Sequence, residues 1–168
     1  MNAEMRRSKI TEILKAAGTP VSASCLAAQL NVSRQIIVGD VALLRARGAE
    51  VSATPRGYLM QPADSRYTHR IACRHGAGAM QAELYAIVDE GCTVIDVIVE
   101  HPVYGQLTGL LQLSSRHDVD EFIISCRRLD AQPLSCLTEG IHLHTLSCPD
   151  EAAFRRVEKS LTKLHLLL

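Results

Sequence analysis

Two histidines one residue apart, His142 and His144, sit in a run from Ile141 to Leu146 that reads as a β-strand. Alternate residues of a strand project to the same face, so both imidazoles can address one ion. His75 closes an earlier strand-like run, Arg70 to His75, and Glu83 falls early on the helix expected after it. Brought together, the four give three imidazoles and one carboxylate, a donor set suited to Zn²⁺, Ni²⁺ or Fe²⁺; imidazole ligation does not separate these ions. Each residue also has a plainer reading: an exposed strand pair, a turn histidine, and a glutamate placed for the helix dipole. His101 lies where a strand ends in the turn Pro102 to Gly105, as a ligand-pocket donor, a fifth metal contact or a surface-loop residue. His69, His117 and His165 have no partner pattern and read as solvated.

A second chemistry is written near the other end. Ile10, Ile13, Leu14 and Ala17 recur at helical spacing, giving a helix over residues 6–17 that stops at Gly18. A second helix spans 24–30. After Asn31 and Val32, Ser33 suits the N-cap of a third helix, in which Ile37, Val41 and Leu44 face inward and Gly48 ends the run. Arg34 and Gln35 then lie off the buried stripe at the exposed start of that helix. Arginine can fork onto guanine O6 and N7, and glutamine onto adenine N6 and N7, when such a helix enters the major groove. Residues 51–60 read as a hairpin with Arg56 near its tip, placed for phosphate or the minor groove. A three-helix interaction module with a solvated Arg/Gln face is the alternative.

The 168 residues carry no net charge, but the balance is uneven. Residues 1–60 hold eight Lys and Arg against four Asp and Glu, and the remainder holds ten against fourteen. A basic front on an acidic rear is expected when one module alone meets a polyanion. No stretch approaches the roughly 18 apolar residues of a membrane span, and no apolar run follows the charged N-terminus, so a cytoplasmic protein is expected. Six cysteines are scattered without a C-x-x-C pair and read as reduced, mostly buried small residues.

The polar, proline-bearing stretch at 61–68 marks the boundary between a DNA-binding domain over 1–62 and a second domain over 68–168. In the second domain a helix is expected from Met80 to Glu90 and a β-branched strand from Val94 to His101. A further strand covers residues 106–113. A helix through Leu129 starts at Asp118 with Glu121 as its capping pair, and Pro149 opens the last helix in its first turn. The order β-α-β-β-α-β-α predicts an α+β architecture: a winged helix-turn-helix followed by a two-layer sandwich, antiparallel sheet on one side and helices on the other.

These residues resemble a known family. The runs SRQIIVGDVALLR (33–45) and ATPRGY (53–58) are similar to the DNA-binding domain of the niacin-responsive repressors of NAD biosynthesis and transport. The runs DEGCTVIDV (89–97), EHPVYG (100–105) and PLSCLTEGIHLH (133–144) resemble their three-histidine regulatory domain. The resemblance covers essentially the whole chain. It implies a non-enzymatic, homodimeric repressor that binds operator DNA and uses nicotinic acid as co-repressor. It carries the family's transition-metal ligands onto His75, Glu83, His142 and His144, and a further signature histidine onto His101. On this basis His101 and Tyr104 are the expected effector contacts, and Ser33, Arg34, Gln35 and Arg56 the expected DNA contacts. Gly39 departs from the larger polar residue common in the family. The competing readings are a small metal-dependent hydrolase with an attached interaction domain, whose bases would be Asp96 or Glu100, and a purely structural dimerisation domain.

Overall fold

A computed structural model describes residues 2–60 and 67–168, and the chain divides into two compact units, Met1–Ala63 and Asp64–Leu168. Most of the boundary expected at 61–68 lies outside the described residues.

The first unit holds three helices, α1 (Ala3–Ala17), α2 (Ala23–Leu30) and α3 (Arg34–Ala46), and a hairpin of β1 (Ser52–Thr54) and β2 (Gly57–Leu59). Helix α1 begins earlier than its apolar periodicity suggests because the Asn2 side chain caps it, accepting from the Met5 amide at 2.8 Å. Ser33 caps α3 as expected, its Oγ accepting from the Ile36 amide. Ile10, Leu14, Leu26, Leu30, Ile37 and Val41 form the core. The buried Asp40 of α3 ties this helix to α1, accepting from Arg6 Nε at 2.5 Å and from Arg7 at 3.2 Å. The hairpin joins the helices through a paired bridge between Val21 and Tyr58. That approach requires Gly57: at φ +137° a Cβ there would lie 2.3 Å from the Val21 carbonyl oxygen.

The second unit follows the expected order: β3 (Thr68–Arg74), α4 (Met80–Val88), β4 (Thr93–His101), β5 (Gly105–Leu113), α5 (Arg116–Arg128), β6 (Ile141–Ser147) and α6 (Glu151–Lys163). The strands form one antiparallel sheet ordered β3-β6-β4-β5. Ile71, Cys73, Leu111, Leu113 and Leu146 share a single core with residues of α4, α5 and α6, so all three helices cover one face. The fold is α+β. No helix among the described residues is long and apolar enough to cross a membrane.

Several local features differ from the sequence pattern. Helix α5 starts at Arg116, not Asp118, because Ser115 is its cap, accepting from the Asp118 amide at 3.1 Å; Asp118 instead accepts from the Ser114 amide and hydroxyl. Pro149 precedes α6 rather than opening it, and Asp150 supplies the cap, accepting from Ala153 at 2.7 Å. A 3₁₀ turn, Leu134–Thr138, packs against β4 and β6. Leu167 forms a bridge with Cys73, while the Leu168 amide donates to Ala72 and the Arg74 amide to Leu166. His69 is not simply solvated: its ring stacks on Phe154 at 3.9 Å and its Nε2 lies 3.1 Å from Glu151.

Candidate functional site

In β6, His142 and His144 alternate with Leu143 and share the inward face with Leu146, which leaves both nearly inaccessible. Strand β3 runs antiparallel beside them, pairing Ile71 with His144 and Cys73 with His142. His75 follows two residues after Cys73, and its amide donates to the Gly140 carbonyl at 3.3 Å. Only glycine permits this approach: at φ +87° a Cβ on Gly140 would lie 2.5 Å from the His75 carbonyl oxygen. From the helix layer, α4 turns Glu83 inward beside Leu84 and Ile87, and Glu83 is 1% exposed. A carboxylate so buried needs partners.

It has three. His75 Nε2 lies 2.7 Å from Glu83 Oε2, His142 Nε2 3.0 Å from Oε1, and His144 Nε2 3.4 Å from Oε2. Each ring is held from behind by a backbone carbonyl. His75 Nδ1 donates to Gly76 at 2.8 Å, His142 Nδ1 to Gly140 at 2.9 Å and His144 Nδ1 to Asp96 at 2.6 Å. A carbonyl oxygen can only accept, so each Nδ1 carries its hydrogen. The three Nε2 atoms, which face the carboxylate, therefore carry either a second proton or a lone pair. Lone pairs aimed at a carboxylate repel it unless a cation lies between them. His75 Nε2 and His144 Nε2 are buried and, although close to Glu83, not aligned for a hydrogen bond. Backbone-anchored imidazoles with their far nitrogens converging on a carboxylate fit a metal centre.

The electrostatics agree. Burial pushes the Glu83 carboxyl up, but His142, His144 and His75 together hold it well below the usual carboxylate range. The Glu83 carboxylate close to its Nε2 raises His75, and for His144 burial lowers the affinity for a proton but the attraction of Glu83 outweighs it. Cys73, treated in the sequence as one more buried small residue, also reaches the cluster: its sulfur and donor atoms of Glu83 and His142 lie within 4.8 Å of one another. The available signal was the C-x-H spacing of Cys73 and His75, which mirrors His142 and His144.

Beside the cluster lies a cavity of about 250 Å³, lined by His75, Glu83, His142 and His144 and by mostly apolar residues, Met80, Val97, Phe122 and Leu134 among them. It lies just below the roughly 300–1,000 Å³ of drug-sized pockets, a size that suits a small molecule. The structure does not bring His101 or Tyr104 to it. His101 ends β4 and Tyr104 lies in the turn after it; His101 Nδ1 accepts from the Val103 and Tyr104 amides, and Tyr104 is 75% exposed. Neither Asp96 nor Glu100 lines the cavity, and Asp96 Oδ1 accepts from the Thr145 amide. In the other unit, Arg34 and Gln35 stand exposed in the first turn of α3, directly after Ser33. Arg56 is half-buried in the hairpin turn, its amide donating to Thr54 Oγ1.

Comparison with known proteins matches residues 6–59 to an HTH domain and residues 68–168 to a 3H domain. Over 163 residues the chain is 39% identical to "Probable transcription repressor NiaR" of Thermotoga maritima, covering 97% of this chain and 93% of the relative. Over 167 residues it is 41% identical to "Transcription repressor NadR" of Bacillus subtilis, with the same coverage. An N-terminal HTH domain, a C-terminal 3H domain and two such relatives aligned nearly end to end place the chain in the NiaR/NadR-type family of transcription repressors.

Proposed function

We propose that this chain is a DNA-binding transcription repressor of genes for NAD biosynthesis or niacin uptake. Its 3H domain would hold one transition-metal ion at His75, Glu83, His142 and His144, and take nicotinic acid as co-repressor in the adjoining cavity. The observation that carries the reading is the orientation of the imidazoles: three Nδ1 hydrogens given to backbone carbonyls, three Nε2 atoms turned on one buried carboxylate. The relatives' names supply the repressor role, and the family resemblance of the sequence supplies the link to niacin and NAD. A bound cation supplies positive charge at the polar lining of a mostly apolar cavity, where the carboxylate or ring nitrogen of nicotinate would bind, leaving the ring among Met80, Val97, Phe122 and Leu134. Those residues replace His101 and Tyr104 as the ring contacts. Ser33, Arg34, Gln35 and Arg56 are the DNA contacts, and a homodimer would present two copies of α3 to a roughly palindromic operator. The hydrolase alternative loses support because Glu83 is engaged by three imidazoles and neither other candidate base faces the cavity.

Titration of operator binding with nicotinate tests the proposal, using metal-loaded, metal-stripped and His144→Ala protein. Nicotinate should tighten operator binding by the metal-loaded protein about 5- to 150-fold, the span of a typical coupling. The stripped protein and the variant should not respond, whereas His165→Ala should behave as wild type. An unchanged affinity in metal-loaded wild type at saturating nicotinate would refute co-repression.

A further inference from the structure

Cys73 of β3 and His75, just past its end, lie beside the histidine pair of β6, and the sulfur is the member that the four-residue donor set leaves out. Cys73 and His142 are direct partners across the β3–β6 ladder, and opposed side chains on one face of such a ladder have Cβ atoms about 4.5–5.5 Å apart. The sulfur, a Glu83 oxygen and a His142 nitrogen already lie within 4.8 Å of one another. Ligand bonds of about 2.0–2.3 Å keep any two donors of one ion within about 4.5 Å of each other. Small side-chain movements therefore suffice to close the set. Cys73 is fully buried and, unlike the histidines and Glu83, does not line the cavity. Its sulfur thus approaches from the sheet side, behind the cluster.

We propose that Cys73 is a metal ligand of this centre, giving the ion a sulfur donor on the sheet side and leaving the cavity side for the effector. The inference rests on the proposed metal site at His75, Glu83, His142 and His144. On binding a divalent ion the thiol loses its proton to solvent and the sulfur forms one bond to the metal, with no change of oxidation state. A mixed sulfur, nitrogen and oxygen set favours Zn²⁺, Co²⁺ and Ni²⁺ over Mn²⁺ and Mg²⁺, which prefer oxygen ligands.

Cobalt is the probe, because thiolate ligation gives Co²⁺ an intense near-ultraviolet charge-transfer band that imidazole and carboxylate ligation do not. The full chain, reduced and metal-free, is titrated with Co²⁺. Wild type should develop the band and saturate near one cobalt per chain. Cys73→Ser and Cys73→Val should lack it, the valine variant keeping the core filled. Cys126→Ser, which alters the cysteine lining the cavity, should retain it. Competition with a zinc chelator should show a loss of affinity in the Cys73 variants beyond the roughly 10–100-fold typical of removing an outer-shell partner. Cobalt bound by wild type without the band, or a band that survives both Cys73 substitutions, would overturn the sulfur ligand and leave the histidine–glutamate site standing. Failure of wild type to bind cobalt would overturn both.

Discussion

Glu83 faces three imidazoles whose Nδ1 hydrogens are already committed to the backbone, so its charge can be balanced only by added protons or by a cation. The two solutions depend on pH in opposite ways. Without metal, His75 and His144 have raised affinities for protons. Their contribution to stability is present below the unfolded-state value of about 6.5 and lost as pH rises through the higher folded values. Glu83 is depressed, so its contribution holds above about 4.3 and is lost on acidification. The metal-free domain should therefore be most stable in the mildly acidic interval between. A bound ion needs unprotonated imidazoles, so the loaded domain should gain stability as pH rises over the same range. Thermal melts from about pH 5 to 8, with and without chelator, should slope in opposite directions. Parallel slopes would argue against a metal in this centre.

Among the elements, α3 is held to α1 by a carboxylate, Asp40, buried against two arginines of that helix. Asp40→Ala leaves Arg6 and Arg7 without that acceptor and should destabilise the first unit by about 1–3 kcal/mol. It should weaken operator binding as well, while Asp40→Asn, which keeps acceptor oxygen, should recover part of both. Calorimetry and a binding isotherm would check this; an unchanged melting temperature in Asp40→Ala would remove the strut. The sequence made most elements legible because their signals are local. Serine at 33 before an apolar stripe, and histidines alternating with Leu143, fix a cap and a face without reference to distant residues. What it hid depends on contacts far along the chain. The register shift of β4 against β5 between Val94 and Asp96, the 3₁₀ turn over the sheet and the pairing of Leu167 with Cys73 have no local signature. The same limit explains His101. Its position where a β-strand ends before a proline suggested a pocket, but that end of β4 lies away from the cavity, which is built from α4, α5, the 3₁₀ turn and residues of β4, β5 and β6. Cys73 went unassigned because its partners are brought to it only by sheet pairing.

At the scale of the whole chain, the net positive charge falls in the unit that carries α3 and the net negative charge in the unit that carries the histidine–glutamate cluster. Each unit has its own apolar core. Metal should accordingly stabilise one and not the other. Free ion at one hundred times its dissociation constant adds about 2.7 kcal/mol to a two-state unit that binds it only when folded. Differential calorimetry of the full chain should show two transitions, only one of which moves down on chelation. Both moving together by the same amount would show that the units melt as one body.

The last residues of the chain lie along β3, which is the outer strand of the sheet. Through Leu166, Leu167 and Leu168 they engage the backbone of Ala72, Cys73 and Arg74. An uncovered outer strand is a template for unwanted pairing with other chains, and here the covered stretch is the one that holds Cys73 and leads into His75. The segment thus works as a selvedge for the sheet. Substitutions that fray that hem should therefore be felt at the cluster as well as at the edge: Leu166→Gly, at a buried position, should lower metal content along with stability.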